Sequence, residues 1–81
     1  SLRMKMKSLE IVRTYDLHPD GVRITVDWDA MEVGSSVFIP CVDTTKAKKQ
    51  LESVLNTKKW SYILDIRVEN RLWGVRAWRT L

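Results

Sequence analysis

The sequence has 81 residues, of which 44% are hydrophobic and 30% charged, and its net charge at pH 7 is +4. This composition fits one small globular domain and excludes a disordered chain. No apolar run approaches the roughly 20 residues that cross a bilayer, and no signal-peptide core is present, so we expect a cytoplasmic protein without a membrane partner. The single cysteine, Cys41, excludes a disulfide framework.

The charge is segregated along the chain. Residues 1–15 carry four basic and one acidic side chain, residues 16–43 carry one basic and six acidic, and residues 44–81 carry nine basic and three acidic. An excess of positive charge favours an anionic partner such as nucleic acid, although the same charge also serves solubility alone.

The N-terminal part of the chain predicts a β-hairpin. Residues 1–3 are consistent with a cloning remnant, so the predicted single domain comprises residues 4–81. Residues 9–17 are rich in β-branched and aromatic side chains, and residues 22–27 alternate between apolar and polar, which indicates two strands. Between them, His18-Pro19-Asp20-Gly21 is a strong turn signal.

The middle of the chain predicts a short turn and an edge strand. Residues 28–32 are acidic and fit a loop or a single helical turn. Residues 37–42 are rich in β-formers, but Pro40 has no N–H to donate, so this strand lies at a sheet edge or ends at Pro40. An exposed edge near Pro40 would also allow two copies to form a homodimer.

One amphipathic helix is predicted, over about residues 44–56. Asp43 and the two threonines after it supply N-cap residues, and Asn56 is the predicted C-terminal cap. The apolar residues of this segment recur at helical spacing and form one stripe, which consists of Ala47, Leu51, Val54 and Leu55.

The last third of the chain organises the predicted fold. The even positions of residues 62–69 are apolar and the odd ones mostly charged, and a second alternating segment, residues 72–79, follows the polar pair Asn70-Arg71. This period of two indicates a hairpin with one buried face. The predicted inward side chains are Tyr62, Leu64, Ile66, Val68, Trp73, Val75 and Ala77.

Together these elements predict an α+β fold. We expect a small antiparallel sheet of four to five strands with one amphipathic helix packed across it, in the order β-β-(β)-α-β-β. The outer surface of the closing hairpin then carries Arg67, Arg76 and Trp78, the most suggestive surface in the sequence.

The sequence does not predict an enzyme. His18, the only histidine, lies in a turn where nothing nearby orients it for catalysis, and no glycine-rich phosphate loop occurs. Asp27, Asp29 and Glu32 place three carboxylates within six residues, but their spacing fits no EF-hand loop, and solvated carboxylates are the simpler interpretation. We therefore expect no catalytic residue, no metal and no cofactor.

A lysine cluster is the first candidate binding site. Lys46, Lys48 and Lys49 fall in the first two turns of the predicted helix, where free backbone N–H groups and lysines can together hold a phosphate. The alternative is that three exposed lysines only keep this face soluble.

The tryptophans are the second candidate, since four are many for 81 residues. Trp60 and Trp73 are predicted to be core residues, whereas Trp28 and Trp78 have weaker claims to the interior. Flanked by Arg76 and Arg79, Trp78 could stack on an unpaired base, anchor a protein interface or cover the outer face of the sheet against the N-terminal strand.

Three pieces of the sequence resemble small proteins encoded by tailed bacteriophages. These pieces are residues 33–40 (VGSSVFIP), residues 44–47 (TTKA) and residues 74–79 (GVRAWR). The resemblance covers roughly residues 30–80 and implies a viral protein in the cytoplasm of an infected bacterium, with no particular activity and no functional residues. The chain departs from the commoner pattern at Ser35-Ser36, where an acidic residue is frequent.

Two functions follow as hypotheses. The first is a non-enzymatic protein that binds nucleic acid with little sequence preference. Its predicted contacts are Lys46, Lys48, Lys49, Lys58, Lys59, Arg67 and Arg76, with Trp78 as a stacking platform. The second is a phage effector that binds and modulates a host protein, either through the acidic segment or through the Trp78 face.

Overall fold

The computed structural model describes residues 16–81, which form one helix packed on a three-stranded antiparallel sheet. The sheet has the order β1-β3-β2, so the strand that comes last in this part of the chain lies in the centre. The elements in chain order are a 3-10 turn (Trp28–Ala30), β1 (Ser36–Pro40), α1 (Thr44–Lys58), β2 (Tyr62–Glu69) and β3 (Leu72–Arg79).

Within residues 16–81 the α+β class and the single helix are as predicted, but the sheet has three strands rather than the predicted four to five. Of the expected first hairpin, the described residues contain only one isolated bridge, between Leu17 and Ile24. The predicted strand over residues 9–17 falls almost wholly outside the described residues. The predicted strand over residues 22–27 is wrong: Ile24 and Val26 pack against the core, but Val22 is 72% exposed and only Ile24 takes part in a bridge.

The turn of that expected hairpin docks on the helix instead of closing two strands. The backbone N–H of His18 donates to Oε1 of Gln50, at 2.8 Å. The carboxylate of Asp20 accepts from the backbone N–H groups of Val42 and Asp43, at 2.8 and 2.9 Å. Through these side chain–backbone hydrogen bonds, the turn residues anchor the segment that precedes β1.

Helix α1 begins where the sequence predicts and ends two residues later. Oδ1 of Asp43 accepts from the backbone N–H of Lys46 at 3.0 Å, which confirms the predicted N-cap. The cap at the other end is Lys59, in the left-handed region with φ 63°, rather than Asn56. Asn56 instead accepts a hydrogen bond from the hydroxyl of Tyr62, which ties the helix end to β2.

The closing hairpin forms over the two segments that the sequence predicts, with Asn70-Arg71 as its turn. Its two-residue turn, Asn70-Arg71, has φ values of 51° and 68°, which is the type I′ turn that matches the twist of the flanking strands. Pairing continues without interruption from Glu69 opposite Leu72 to Tyr62 opposite Arg79. β1 pairs with the other side of β3, which makes it an edge strand that ends at Pro40, as predicted.

The core lies between α1 and one face of the sheet. All four residues of the predicted helix stripe are buried, and they pack with Ile39, Val75 and Ala77 from the strands. Two tryptophan predictions are wrong: Trp28 is only 5% exposed, whereas Trp73 is 60% exposed.

The position of α1 explains why Trp73, and not Trp28, is exposed. Val75 and Ala77 are fully buried on the helix side of the sheet, but Ile66, Val68 and Trp73 on the same side remain 41 to 60% exposed. The hairpin end therefore extends beyond the area that α1 covers, and the 3-10 turn brings Trp28 into the core. None of the described helices is long and apolar enough to cross a membrane.

Candidate nucleic-acid interface

The predicted contact residues divide between opposite sides of the molecule. Val75 and Ala77 face α1, and side chains alternate along a strand, so Arg76 and Trp78 lie on the outer face of the sheet. Arg67, which is opposite Gly74 in the register, shares that face. The lysines of α1 lie on the side of the helix that faces away from the sheet. The eight predicted residues therefore do not form one continuous surface.

Lys46 and Lys49 lie one turn apart on the exposed side of α1, away from the buried Ala47. Lys48 is half-buried on the helix flank, and Lys59 is exposed at the C-terminal cap. We call these four lysines the helix surface. Within residues 16–81, none of their ammonium groups forms an ion pair with a carboxylate.

The start of the helix is already occupied by the chain's own carboxylates. Asp43 binds the N–H of Lys46, and Asp20 binds the N–H groups of Val42 and Asp43. The two backbone N–H groups, that of Asp43 first, hold the pKa of Asp20 below its usual value. In the first turn of α1, the backbone N–H groups of Thr44, Lys46 and Ala47 are thus bonded within the chain, so an anion there would be held mainly by lysine side chains.

The Asp20 carboxylate makes stability depend on pH, and we expect Asp20→Asn to lower the melting temperature at pH 7. The pKa of Asp20 is lower in the folded protein than the value of 3.8 that it has without these bonds. Its contribution is therefore fully present above pH 3.8 and is lost as the pH falls through the folded pKa. Thermal unfolding followed by circular dichroism should show a difference between the two proteins that shrinks below about pH 4.

The matched control is Asp27→Asn, which removes one exposed carboxylate that makes no cap hydrogen bond and should melt close to the wild type at pH 7. A constant gap between wild type and Asp20→Asn from pH 7 to pH 2.5 would contradict this role of Asp20.

Lys58 belongs to a packed cluster rather than to the helix surface. Its Nζ lies 3.8 Å from Oδ1 of Asp29 and 5.8 Å from the centre of the Trp60 ring. Cζ of Arg79 lies 4.0 Å from the centre of the same ring, and its Nη1 donates to the carbonyl of Met31 at 2.9 Å. This cluster holds the 3-10 turn, the helix end and β3 together.

Arg76 is held by a carboxylate of its own sheet face. Its Nε and Nη2 donate to the two carboxylate oxygens of Glu69 at 2.6 and 2.7 Å, and its Nη1 donates to Oγ of Ser36 at 2.7 Å. The hydrogen bond from Arg76 lowers the pKa of Glu69. In this bidentate ion pair, Arg76 already uses N–H donors that it would need to bind a phosphate.

Arg67 is also surrounded by partners. Its Nε lies 3.3 Å from Oε2 of Glu69, and its Nη1 lies 3.8 Å from Oδ2 of Asp65. Its Cζ is 5.6 Å from the centre of the Trp78 ring. The arginine thus covers part of the ring predicted to stack on a base. The two arginines lie on the outer face as predicted, and the alternation of residues 63–69 places Asp65 and Glu69 on the same face as Arg67.

A groove at one end of the outer face was not predicted. It has a volume of about 490 Å³ and is bounded by the cross-strand pair Ile63 and Trp78 and by Val33. Ile63 is the one apolar residue among the odd positions of β2, which is the only sign of the groove in the sequence.

Three features of the described residues bear on the groups considered for catalysis and metal binding. His18 is exposed, and its backbone rather than its ring is bonded to Gln50. Burial raises the pKa of the Cys41 thiol, which disfavours the reactive thiolate. Residues 16–81 contain no group of three or more His, Cys, Asp or Glu side chains that could hold a metal ion.

Comparison of the chain with protein-family models, curated proteins and solved structures found no match. The resemblance to phage proteins therefore stays a prediction.

Proposed function

We propose that this protein is non-enzymatic and binds nucleic acid with little sequence preference through the helix surface. The observation that supports the proposal is the set of four lysines on α1 and its cap that lack an acidic partner among residues 16–81. Lys46 and Lys59 are separated by about 20 Å along the helix axis, a span that covers several phosphates of one strand.

The chemistry of lysine accounts for the lack of sequence preference. An ammonium group on a flexible stem acts as a point charge, which contacts phosphates without reading base edges. Lys49 and its neighbours on the helix are suited to this role. The arginines of the outer sheet face, which read bases more often, are engaged by Glu69 and Asp65.

The proposal consequently leaves Arg67, Arg76, Trp78 and Lys58 out of the contact surface. Residues 16–81 carry ten basic and nine acidic side chains, a net charge of only +1, whereas residues 1–15 contribute +3. With so small an excess charge in the described residues, we expect weak binding. Its salt dependence is set by the number of phosphates that the lysines neutralise.

The test compares Lys49→Gln with Arg71→Gln, because both remove one positive charge from an exposed residue. Binding to a labelled duplex is followed by fluorescence anisotropy at several salt concentrations. We expect Lys49→Gln to reduce the slope of log K against log salt by about 0.9, since one fewer counterion is released. Arg71, in the hairpin turn, lies away from the helix surface, so its variant should keep the wild-type slope.

Equal slopes for the two variants would show that net charge and not the helix surface is responsible. Absence of binding to both a duplex and a single strand at low salt would overturn the proposed function.

The alternative is an effector that binds a protein of a bacterial host. The observation that favours it is the groove beside Ile63 and Trp78, because an apolar recess next to a tryptophan suits an apolar side chain of a partner. A pull-down from bacterial lysate after nuclease treatment separates the two functions, because a protein partner survives that treatment. Loss of capture in Ile63→Glu, with capture retained in Lys49→Gln, would assign the binding to the groove.

A further inference from the structure

β2 forms the second edge of the sheet and offers unused backbone hydrogen bonds. In a type I′ hairpin the residues that flank the turn, Glu69 and Leu72, form a hydrogen-bonded pair, and such pairs then alternate along the ladder. The N–H and C=O groups of Leu64, Ile66 and Val68 consequently point away from β3. Among residues 16–81, no strand pairs with this side of β2.

This edge lacks several of the features that block pairing with another chain, since it is neither short nor interrupted. β2 has eight residues in continuous register with β3 and contains neither a proline nor a bulge. β1, the edge strand predicted from the sequence as a dimer surface, has only five residues and ends at Pro40. Of the two edges, β2 is the one suited to a long antiparallel pairing.

We propose that two copies of this chain associate through β2, antiparallel, with the two-fold axis at Ile66. In this register Asp65 of one copy lies directly opposite Arg67 of the second copy, and the reverse pair forms on the other side of the axis. The strand is therefore complementary to itself in charge. The product is a continuous six-stranded sheet.

The neighbouring registers are disfavoured by the same charges. An axis at position 65 places Asp65 opposite Asp65 of the second copy. An axis at position 67 places Arg67 opposite its own counterpart and Asp65 opposite Glu69. Like charges directly opposite each other destabilise a strand pair, so only the axis at Ile66 combines a long pairing with opposite charges.

The apolar side chains of the edge support the same register. The axis at Ile66 pairs the two Ile66 side chains with each other and Leu64 with Val68 of the second copy, all on the helix side of the sheet. Ile66, Val68 and the adjacent Trp73 are the exposed apolar residues that α1 leaves uncovered. Association thus reduces the exposure of this strip, and both copies of α1 lie on the same side of the combined sheet.

The test is the oligomeric state of the full chain, measured by sedimentation equilibrium over a range of concentrations. The wild type should show a reversible dimer. Asp65→Arg and Arg67→Asp should each raise the dissociation constant at least tenfold, because each places like charges opposite one another. An equimolar mixture of the two variants should recover a dimer, since all the cross-strand charges in the mixed pair are opposite.

Asp27→Arg, an equal change of charge away from β2, is the matched control and should dimerise as the wild type does. A wild type that stays monomeric up to about 1 mM, which is the weak end of specific association, would overturn the proposal. So would charge variants that dimerise normally, or a mixture that stays monomeric.

A second measurement keeps the native charges. Ile66→Cys places two thiols opposite each other across the axis, where the Cα separation of about 5.5 Å suits a disulfide, so mild oxidation should give a linked dimer. Ile63→Cys on the same strand lies opposite Glu69 of the second copy and should not link. Equal cross-linking of the two variants, or none of either, would overturn the proposed register.

Discussion

Replacing Gly74 by alanine should destabilise the protein by about 3 kcal/mol, near the upper end of the usual cost of overpacking. A Cβ at this position would meet the backbone carbonyl oxygen of Ile39, Cζ of Phe38 at 2.6 Å and Cα of Pro40 at 2.9 Å. Two of these three atoms belong to the backbone of β1, which cannot move aside without breaking its pairing with β3. The melting temperature should fall by roughly 15 °C.

Gly21→Ala is the control that separates lack of space from loss of a glycine. Gly21 has φ 88° and open space around its Cα, so alanine there carries only the backbone strain of about 1 kcal/mol. Adding Phe38→Leu to Gly74→Ala should recover little stability, because the backbone contacts remain. If the double variant regained the wild-type melting temperature, the phenyl ring alone would be the obstacle.

Replacing Leu51 by alanine should lower the free energy of unfolding by about 3 kcal/mol. The Leu51 side chain is fully buried, so its removal leaves a cavity in the centre of the core. Leu51 is the middle of the helix stripe and packs towards the sheet residues Val75 and Ala77. A domain of this size has a total stability of only about 4–10 kcal/mol, so the change removes a large share of it. Denaturant titration with an unchanged m value would measure the loss.

Leu72→Ala provides the matched comparison, with the same side chain removed from a position that is 53% exposed. Its cost should stay within about 0.5 kcal/mol, as for other surface changes. Similar losses for the two leucines would mean that the hairpin end is packed in solution and that the core is more extended than described above.

The parts of the fold that depend on local patterns could be predicted from the sequence. The alternation of residues 62–69 and 72–79 predicts both strands of the hairpin, because a period of two needs only a buried face to one side. The Asp43 cap and the helix stripe follow in the same way from spacing alone. Both features are set by neighbours within a few residues.

Burial of the tryptophans could not be predicted in this way. Trp73 lies at an inward position of the alternating pattern, but whether its side chain is covered depends on how far α1 reaches over the sheet. Trp28 lies in a short acidic segment whose burial depends on packing with distant elements. The residues 22–27 show the same limitation, because alternation indicates a strand only when a partner strand is present.

The candidate site shows a similar division. The sequence places Lys46 and Lys49 on the exposed side of a helix, and the structure agrees with that placement. It does not reveal that Arg76 is bonded to Glu69, because these residues become neighbours only through the register of the hairpin. A charge is available to a ligand only if no partner on the same face has already taken it.

The central position of β3 affects the order in which the protein is assembled during synthesis. β1, α1 and β2 all emerge from the ribosome before the strand with which β1 and β2 pair. The helix can form by local bonds at that stage, but among residues 16–81 neither strand has a partner until β3 follows. The sheet and the core beneath it therefore form only after translation has passed Arg79, and a nascent chain stopped before Leu72 exposes both unpaired strands to other chains.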